Sequence, residues 1–464
     1  MKRLFCAFLC VITLCFTCSV SAGAVNVTEK QVEFVPVIRF VASSDSHVRD
    51  DDDLTAGRIG TMMEQAYAFA GEDAQYTNVD ALLIAGDVTN DGTQSEFDKL
   101  KDAVYGALKQ DTRFLAVAAK NHDGYDMSRS EVRSAISAVT GNDADFHVVI
   151  NGYHFIGISV SSHSMSHYDD EQLAWLKEQL DAATAEDANK PVFVMQHEHV
   201  KDTVYGSSDF ERWYVKHFSE LFKQYPQIVD FSGHSHYPLN HPNSVWQGEF
   251  TAIGTGAIYY TDYTAEDLHD FSDDATNKNV SNYWLVELDA ANNMRLRGID
   301  LVAGKVLCDY YLENPANHQN RNFTPEKKAQ ASTAPVFEAD DKLLLEAHEG
   351  GCTVTIPAAK STDGMPVVLY RAYATDESGK VIVKTWTLPW YFDADAGDTV
   401  SLELRGLGKG NYKVSVVAET AYGVQSEALE GEVSISSPGR FVAFLLRIGM
   451  WMKHMFNVIW RAII

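Results

Sequence analysis

The stretch VDALLIAGD, residues 79–87, holds five consecutive apolar residues, Ala81 to Ala85, and stops on Gly86-Asp87. Continuous rather than alternating apolarity is the pattern of a strand buried on both faces. The same pattern recurs in VPVIRFVASSD (35–45), RFLAVAAKNH (113–122), HFIGISVSS (154–162), KPVFVMQHEH (190–199) and PQIVDFSGHSH (226–236). Between these runs lie stretches with helical spacing. The clearest is DDEQLAWLKEQLDAA (169–183), acidic at its start and with Leu173, Leu176 and Leu180 on one face. Strands alternating with helices predict an α/β domain. It extends through NYWLVELDAANNMRLRGIDL, two β-like runs around an Asn-Asn turn, to give expected bounds of 36–313.

The ends of these runs carry chemistry. The first ends in Asp45-Ser46-His47, the second in Asp87 and the third in Asn121-His122-Asp123. The fifth ends in His197-Glu198-His199 and the sixth in His234-Ser235-His236. Asp, His and Asn suit borderline divalent metals, and in α/β sheets functional groups gather at the carboxyl ends of strands. A single D-x-H or G-H-x-H is most often a turn or loop. The ordered set D-x-H, G-D, N-H-D, H, G-H-x-H is specific, because buried carboxylates and imidazoles without partners are costly.

This set resembles the calcineurin-like metallophosphoesterase superfamily over about 36–300. LLIAGDVTNDGTQSEF, DDEQLAWLKEQLD and FSGHSHYPLNHP are similar to its secreted bacterial, cyclic-nucleotide phosphodiesterase-like branch. The resemblance implies a four-layer αββα sandwich with the site at one edge. It also implies two metal ions (Mn, Fe or Zn): Asp45, His47 and His236 on one, Asn121, His197 and His234 on the other, and Asp87 bridging. The implied reaction is in-line hydrolysis of a phosphate ester by a metal-bridging hydroxide, with cations about 3.5–4 Å apart. His122 would contact the phosphate and protonate the leaving oxygen, as an imidazole can near neutral pH. Asp123, Asn90 or Asp91 would orient His122.

Two departures stand out. The family has Gly before Asn-His where this chain has Lys120, and Lys tolerates positive φ less well. Position 90 is Asn, where purple acid phosphatases have a tyrosine ligand and protein phosphatases an Asp-Arg pair. Neither a tyrosinate-iron centre nor phosphoprotein specificity is therefore expected. His163, His167, His199 and His241 are additional histidines that either line the cleft or serve packing.

The rest of the chain reads by composition. Its 464 residues predict two or three domains. The net charge of −26 repels nucleic-acid backbones, so no broad nucleic-acid interface is expected. Residues 1–24 read as a secretory signal: Lys2-Arg3, an apolar core and small residues, with a retained membrane anchor as the alternative. The four cysteines Cys6, Cys10, Cys15 and Cys18 would leave with it. Cys308 and Cys352 remain, as a disulfide or as two buried thiols.

Residues 314–334 are polar and aperiodic, and read as a linker. Residues 335–436 alternate in short strands, and LRGLGKGNYKVSVVAETAYGVQS resembles the end of a fibronectin type III domain, with Tyr412 as its corner tyrosine. In 438–464, Arg440, Arg447, His454 and Arg461 recur every seven residues in an apolar background. That predicts an amphipathic helix on an anionic membrane surface, or else one packed on protein.

The expected protein is thus a secreted, surface-associated metallophosphoesterase acting on a small phosphate ester. A phosphodiester is favoured by the branch resembled, against a phosphomonoesterase or nucleotidase. A non-catalytic binding module on a degenerate domain is the reading from another class, and the complete ligand set speaks against it.

Overall fold

A computed structural model describes residues 34–162, 167–208, 214–262, 279–436, 448 and 451–452, and the backbone of 276–277. The leader expected at 1–24 lies outside the described residues, and so does the helix expected at 438–464 but for three of its residues. His163 also lies outside them.

The chain begins β1 (Pro36–Ser43), α1 (Leu54–Gly71), β2 (Ala81–Ala85), α2 (Gln94–Ala107), β3 (Arg113–Val117) and α3 (Arg129–Thr140). It continues β4 (Phe146–Ile150), β5 (Tyr153–Gly157), α4 (Asp170–Glu186), β6 (Val192–Met195), β7 (His199–Val200), β8 (Tyr214–Val215), α5 (Ser219–Phe222) and β9 (Ile228–Ser232). Then come β10 (Val245–Gln247), β11 (Thr251–Gly254), β12 (Thr261–Asp262), β13 (Thr276–Asn277), β14 (Asn282–Asp289), β15 (Met294–Asp300) and β16 (Lys305–Leu312). Two six-stranded sheets result, in the orders β16-β15-β14-β1-β2-β3 and β10-β11-β9-β6-β5-β4.

Alternation within each buried strand builds the layers. Phe40, Leu83, Leu115 and Val117 point inward to meet Phe155, Phe193 and Phe231 of the other sheet. Val41, Leu82, Ile84 and Phe114 point outward to Ile59, Met62, Phe97, Leu100 and Ile136 of α1 to α3. On the far side Ile156, Val192 and Val194 pack on Leu176 and Leu180 of α4. Both faces of each sheet are covered, which is why the runs lack polar alternation. The architecture is the expected αββα sandwich. Arg39 is the exception inside β1: fully buried, it pairs with Glu287 opposite it on β14 (Nε–Oε1 2.6 Å) and with Asp73 (3.0 Å).

The stretch expected to be a linker is not slack. It contains helix α6 (Pro325–Ala331), capped by Thr324 and started by Pro325. Arg321 and Lys328 are buried and donate to backbone carbonyls of Pro226, Phe250, Pro242 and Val245. Carbonyls left open at the ends of short strands supply the acceptors, so a polar, aperiodic segment is docked along its length.

Seven further strands follow: β17 (Leu344–His348), β18 (Gly351–Pro357), β19 (Val367–Asp376), β20 (Val381–Thr387), β21 (Thr399–Arg405), β22 (Gly410–Thr420) and β23 (Leu429–Ile435). They form sheets β17-β18-β21 and β20-β19-β22-β23, so the carboxyl-terminal region is all-β. Tyr412 donates its hydroxyl to the carbonyl of Gly408, four residues upstream (3.0 Å), the geometry of a corner tyrosine.

Cys308 on β16 and Cys352 on β18 are both buried and free. Protein lacking residues 1–24 should therefore react at two thiols with a disulfide reagent only after unfolding. Its melting temperature should be unchanged by reductant, and finding no thiols in denaturant would show a disulfide instead.

Candidate metal centre

β1, β2 and β3 run parallel, as do β6 and β9, so their carboxyl ends meet along one edge of the sandwich. The loops leaving them bring the seven expected ligands together. Asp45, His47 and His236 present ligand atoms within 4.8 Å of one another, as do Asp87, His197 and His234. Asn121 joins the second group, its Nδ2 donating to Asp87 Oδ2 at 2.7 Å. His122 shares a third such group with His47 and Asp87.

The backbone is bent to achieve this. Asp45, His47, Asp87, His234 and His236 all have φ between 43° and 70°, a region that non-glycine residues rarely occupy. Strain of this kind persists only where surrounding structure enforces it, and it clusters at functional sites. Two glycines make room. A Cβ on Gly86 would lie 2.5 Å from His197 Nδ1, and one on Gly233 would lie 2.3 Å from Ser44 Oγ and 2.5 Å from Asp45 Oδ2. Lys120 is not among the described residues with positive φ, so the position where the family has Gly needs no glycine here.

Two of the four rings, those of His197 and His236, are turned by a bond on their far side. His197 Nδ1 meets the carbonyl of Ala85 at 2.8 Å, leaving Nε2 3.3 Å from Asp87 Oδ2 and 3.0 Å from His234 Nδ1. His236 Nδ1 meets the carbonyl of Tyr260 at 3.2 Å, leaving Nε2 3.1 Å from His47 Nε2 and 3.2 Å from Asp45 Oδ1. Asp45 Oδ2 accepts from Ser44 Oγ and from the His234 backbone N–H.

Burial opposes the charged form of Asp45, but His236, His197 and His47 outweigh it and hold the carboxyl well below its usual range. Burial likewise opposes charge on Asp87, yet His197 and His47 bring it down to about 2. Burial, and then His236, lowers His47 to about 3; burial, and then His197, lowers His234 to about 4. Against burial, Asp87 raises His197 and Asp45 raises His236, so the cluster sets charged carboxylates and a neutral His47 and His234, forms that metal ligands need, beside two imidazoles that hold a proton more tightly.

The residues fit a pair of cations on one further observation. The Oδ1 atoms of Asp45, Asp87 and Asn121 are buried without a donor in the protein, and His47 and His236 aim nitrogens at each other. Buried acceptors of this kind are rarely left unmatched, and a cation in each half would satisfy them.

The residues expected to orient His122 divide differently. Its Nδ1 meets the backbone carbonyl of Asn90 at 2.8 Å, not the Asn90 side chain. Asp123 makes no hydrogen bond to His122. Its Oδ1 accepts from the N–H and hydroxyl of Thr89 (2.8 Å each) and its Oδ2 from Ala119 N–H (2.8 Å). Fully buried, it ties the loop after β2 to the loop after β3, and burial and then Asp87 push its carboxyl up to about 7. Asp91 accepts from Asn90 Nδ2 at 2.8 Å and likewise does not reach His122. Backbone carbonyls leave no mark in a motif, so side chains drew the expectation.

Of the additional histidines, His167 pairs with buried Glu198, and His199 lies between Ser232 Oγ (2.9 Å) and Ser235 Oγ (2.8 Å). His241 is stacked on Tyr205 at 3.9 Å. His199 and His241 are buried packing groups rather than cleft lining. Sequence reasoning missed Tyr259 and Tyr260, whose rings lie 5.6 Å from His47 and 4.2 Å from His236. They follow β11 in a stretch without motif, and only the fold carries them to the site.

Residues 38–238 match the family model of the calcineurin-like phosphoesterases. The chain therefore carries a phosphoesterase domain of that family, a class of hydrolases acting on phosphate esters, followed by an all-β region. No curated protein matches the chain. Among solved structures it is similar to GAP50, the anchor in the inner membrane complex of Plasmodium (14% identity, TM-score 0.42, 62% of this chain and 96% of that one). It is also similar to purple acid phosphatase PPD1 from yellow lupin seeds (12%, 0.42, 60% and 55%). A candidate 5′-nucleotidase from Staphylococcus aureus gives 10%, 0.35, 78% and 82%.

Proposed function

We propose that the protein is a dinuclear metal-dependent phosphoesterase, with a phosphodiester as the favoured substrate. The observation that carries the reading is the convergence of seven ligand-type side chains from five strand ends, five of them on left-handed backbone. Asp45, His47 and His236 would hold one cation, Asn121, His197 and His234 the other, and Asp87 both. When bound, such a pair neutralises phosphoryl oxygens and acidifies a water.

The chain's own residues supply the rest. Phe193, Phe231 and their neighbours fill the space between the two sheets whose strand ends carry the cluster. The Asn90 carbonyl fixes the His122 ring, 4.3 Å from the His47 ring, and leaves Nε2 as the nitrogen that passes a proton to the leaving oxygen. Export is supported by Lys2-Arg3 and the apolar stretch after them, and attachment to the outer membrane face by the seven-residue spacing of Arg440, Arg447, His454 and Arg461. Among the described residues no helix is long and apolar enough to cross a membrane.

The test is hydrolysis of p-nitrophenyl phosphate beside bis-p-nitrophenyl phosphate by protein lacking 1–24 and the tail, chelated and then restored with Mn, Zn or Fe. Metal-dependent turnover, faster on the diester, is expected. Turnover that survives complete chelation would sink the reading, and faster monoester cleavage would replace diesterase with monoesterase.

A further inference from the structure

Arg49 follows His47 by two residues and differs from the other charged groups around the site. The acidic run beside it, Asp50 to Asp53, does not neutralise it. Asp50 accepts from Thr93 and Ser95 hydroxyls, Asp52 accepts from the Leu54 N–H that starts α1, and Asp53 pairs with Lys99 at 2.7 Å. Among the described residues Arg49 has no carboxylate within ion-pairing distance and donates no side-chain hydrogen bond. Its Nε is shut off from solvent without an acceptor, while the half-buried side chain leaves its terminal nitrogens open. The guanidinium rests on the Tyr259 ring, 5.1 Å from its centre, and that ring lies 5.6 Å from His47. The Tyr259 backbone is in turn fixed, its N–H to the Asp45 carbonyl (3.1 Å) and its carbonyl to Arg58.

An arginine pre-positioned without a counter-charge among the described residues is unusual in a chain with 64 acidic and 38 basic residues. Beside two cations it would be repelled unless an anion lay between them. Guanidinium presents a planar fork of donors that matches paired anionic oxygens. We infer that Arg49, held by Tyr259, is a substrate-binding residue that takes an anionic oxygen pair of the phosphate ester on the His47 side of the centre. The inference rests on the phosphoesterase reading and adds a substrate property to it. The oxygens belong either to the scissile phosphate or to a second anionic group of the substrate.

The test uses full-length mature protein loaded with metal, turning over bis-p-nitrophenyl phosphate, with phenylphosphonate and 4-carboxyphenylphosphonate as competing ligands. Arg49→Ala should keep the wild-type metal stoichiometry and melting temperature, and should weaken inhibition about tenfold or more, the scale of losing a charged hydrogen-bonding partner. Arg49→Lys should recover part of it, because charge remains without the fork. Weakening of both inhibitors assigns Arg49 to the scissile phosphate, and weakening of the carboxylated one alone assigns it to a second anion. Inhibition constants within twofold of wild type for both would overturn the inference while leaving the enzyme intact. A wild type that neither holds metal nor turns over would remove the phosphoesterase reading, and the inference with it.

Discussion

Asp87→Ala is expected to abolish metal-dependent hydrolysis, with turnover falling by about 10³-fold or more, the loss of several kcal/mol of charge stabilisation. Asp87 links the two halves of the cluster: Oδ2 is 2.7 Å from Asn121 Nδ2 and 3.3 Å from His197 Nε2, the carboxylate also lies within 4.8 Å of ligand atoms of His47 and His122, and Oδ1 is buried without a donor. Its removal also strips a buried imidazole of its counter-charge, since Asp87 is the leading influence that raises His197 against burial. Elemental analysis should find fewer than two bound ions per chain. A mutant that kept two ions and full activity would remove Asp87 from the centre.

His122→Ala should act on the reaction and spare the metals. A positioned proton donor contributes typically 10²–10⁴-fold, so turnover should fall by about that factor. Esters with good leaving groups should be affected least, because they need least protonation. Metal content decides whether the role is right. His122 also lies within ligand distance of His47 and Asp87, and a mutant that lost one ion would make it a ligand instead.

Much of this was legible in the sequence because burial and chemistry coincide at strand ends. Once Leu82 to Ala85 are read as a strand covered on both faces, Asp87 must emerge where the strand leaves the core, and the same holds for Asn121 after β3 and His197 after β6. Helix α4 was readable from its acidic start and from Leu173, Leu176 and Leu180 on one face. What was not readable depends on partners distant in sequence. Arg39 sits in an apolar run because Glu287, 248 residues on, receives it. The segment carrying Lys328 reads as a linker because its acceptors, the carbonyls of Pro242 and Val245, leave no mark in the sequence. Asp123 looked like a partner for His122 because adjacency in a motif does not say which way a carboxylate turns. Lys120 looked unfavourable because a family glycine suggests a left-handed backbone, and this loop turns at other residues.

The segment after His236 has a consequence for how the two halves of the chain behave under load. Asn240 donates to the carbonyl of Tyr391 (2.9 Å), the Tyr422 hydroxyl bonds Asn243 (2.9 Å), and Tyr237 packs with Tyr205, Val280 and Phe392. The connector is docked as well, through Lys328 on Pro242. Mechanically, the carboxyl-terminal sandwich is braced against the strip of chain that carries His236, with no slack joint between them. A pull on the sandwich is shared between that strip and the bonds of Ala394 to Asp300 and Asp395 to Lys305, so part of any tension along the chain would reach the metal-binding loop.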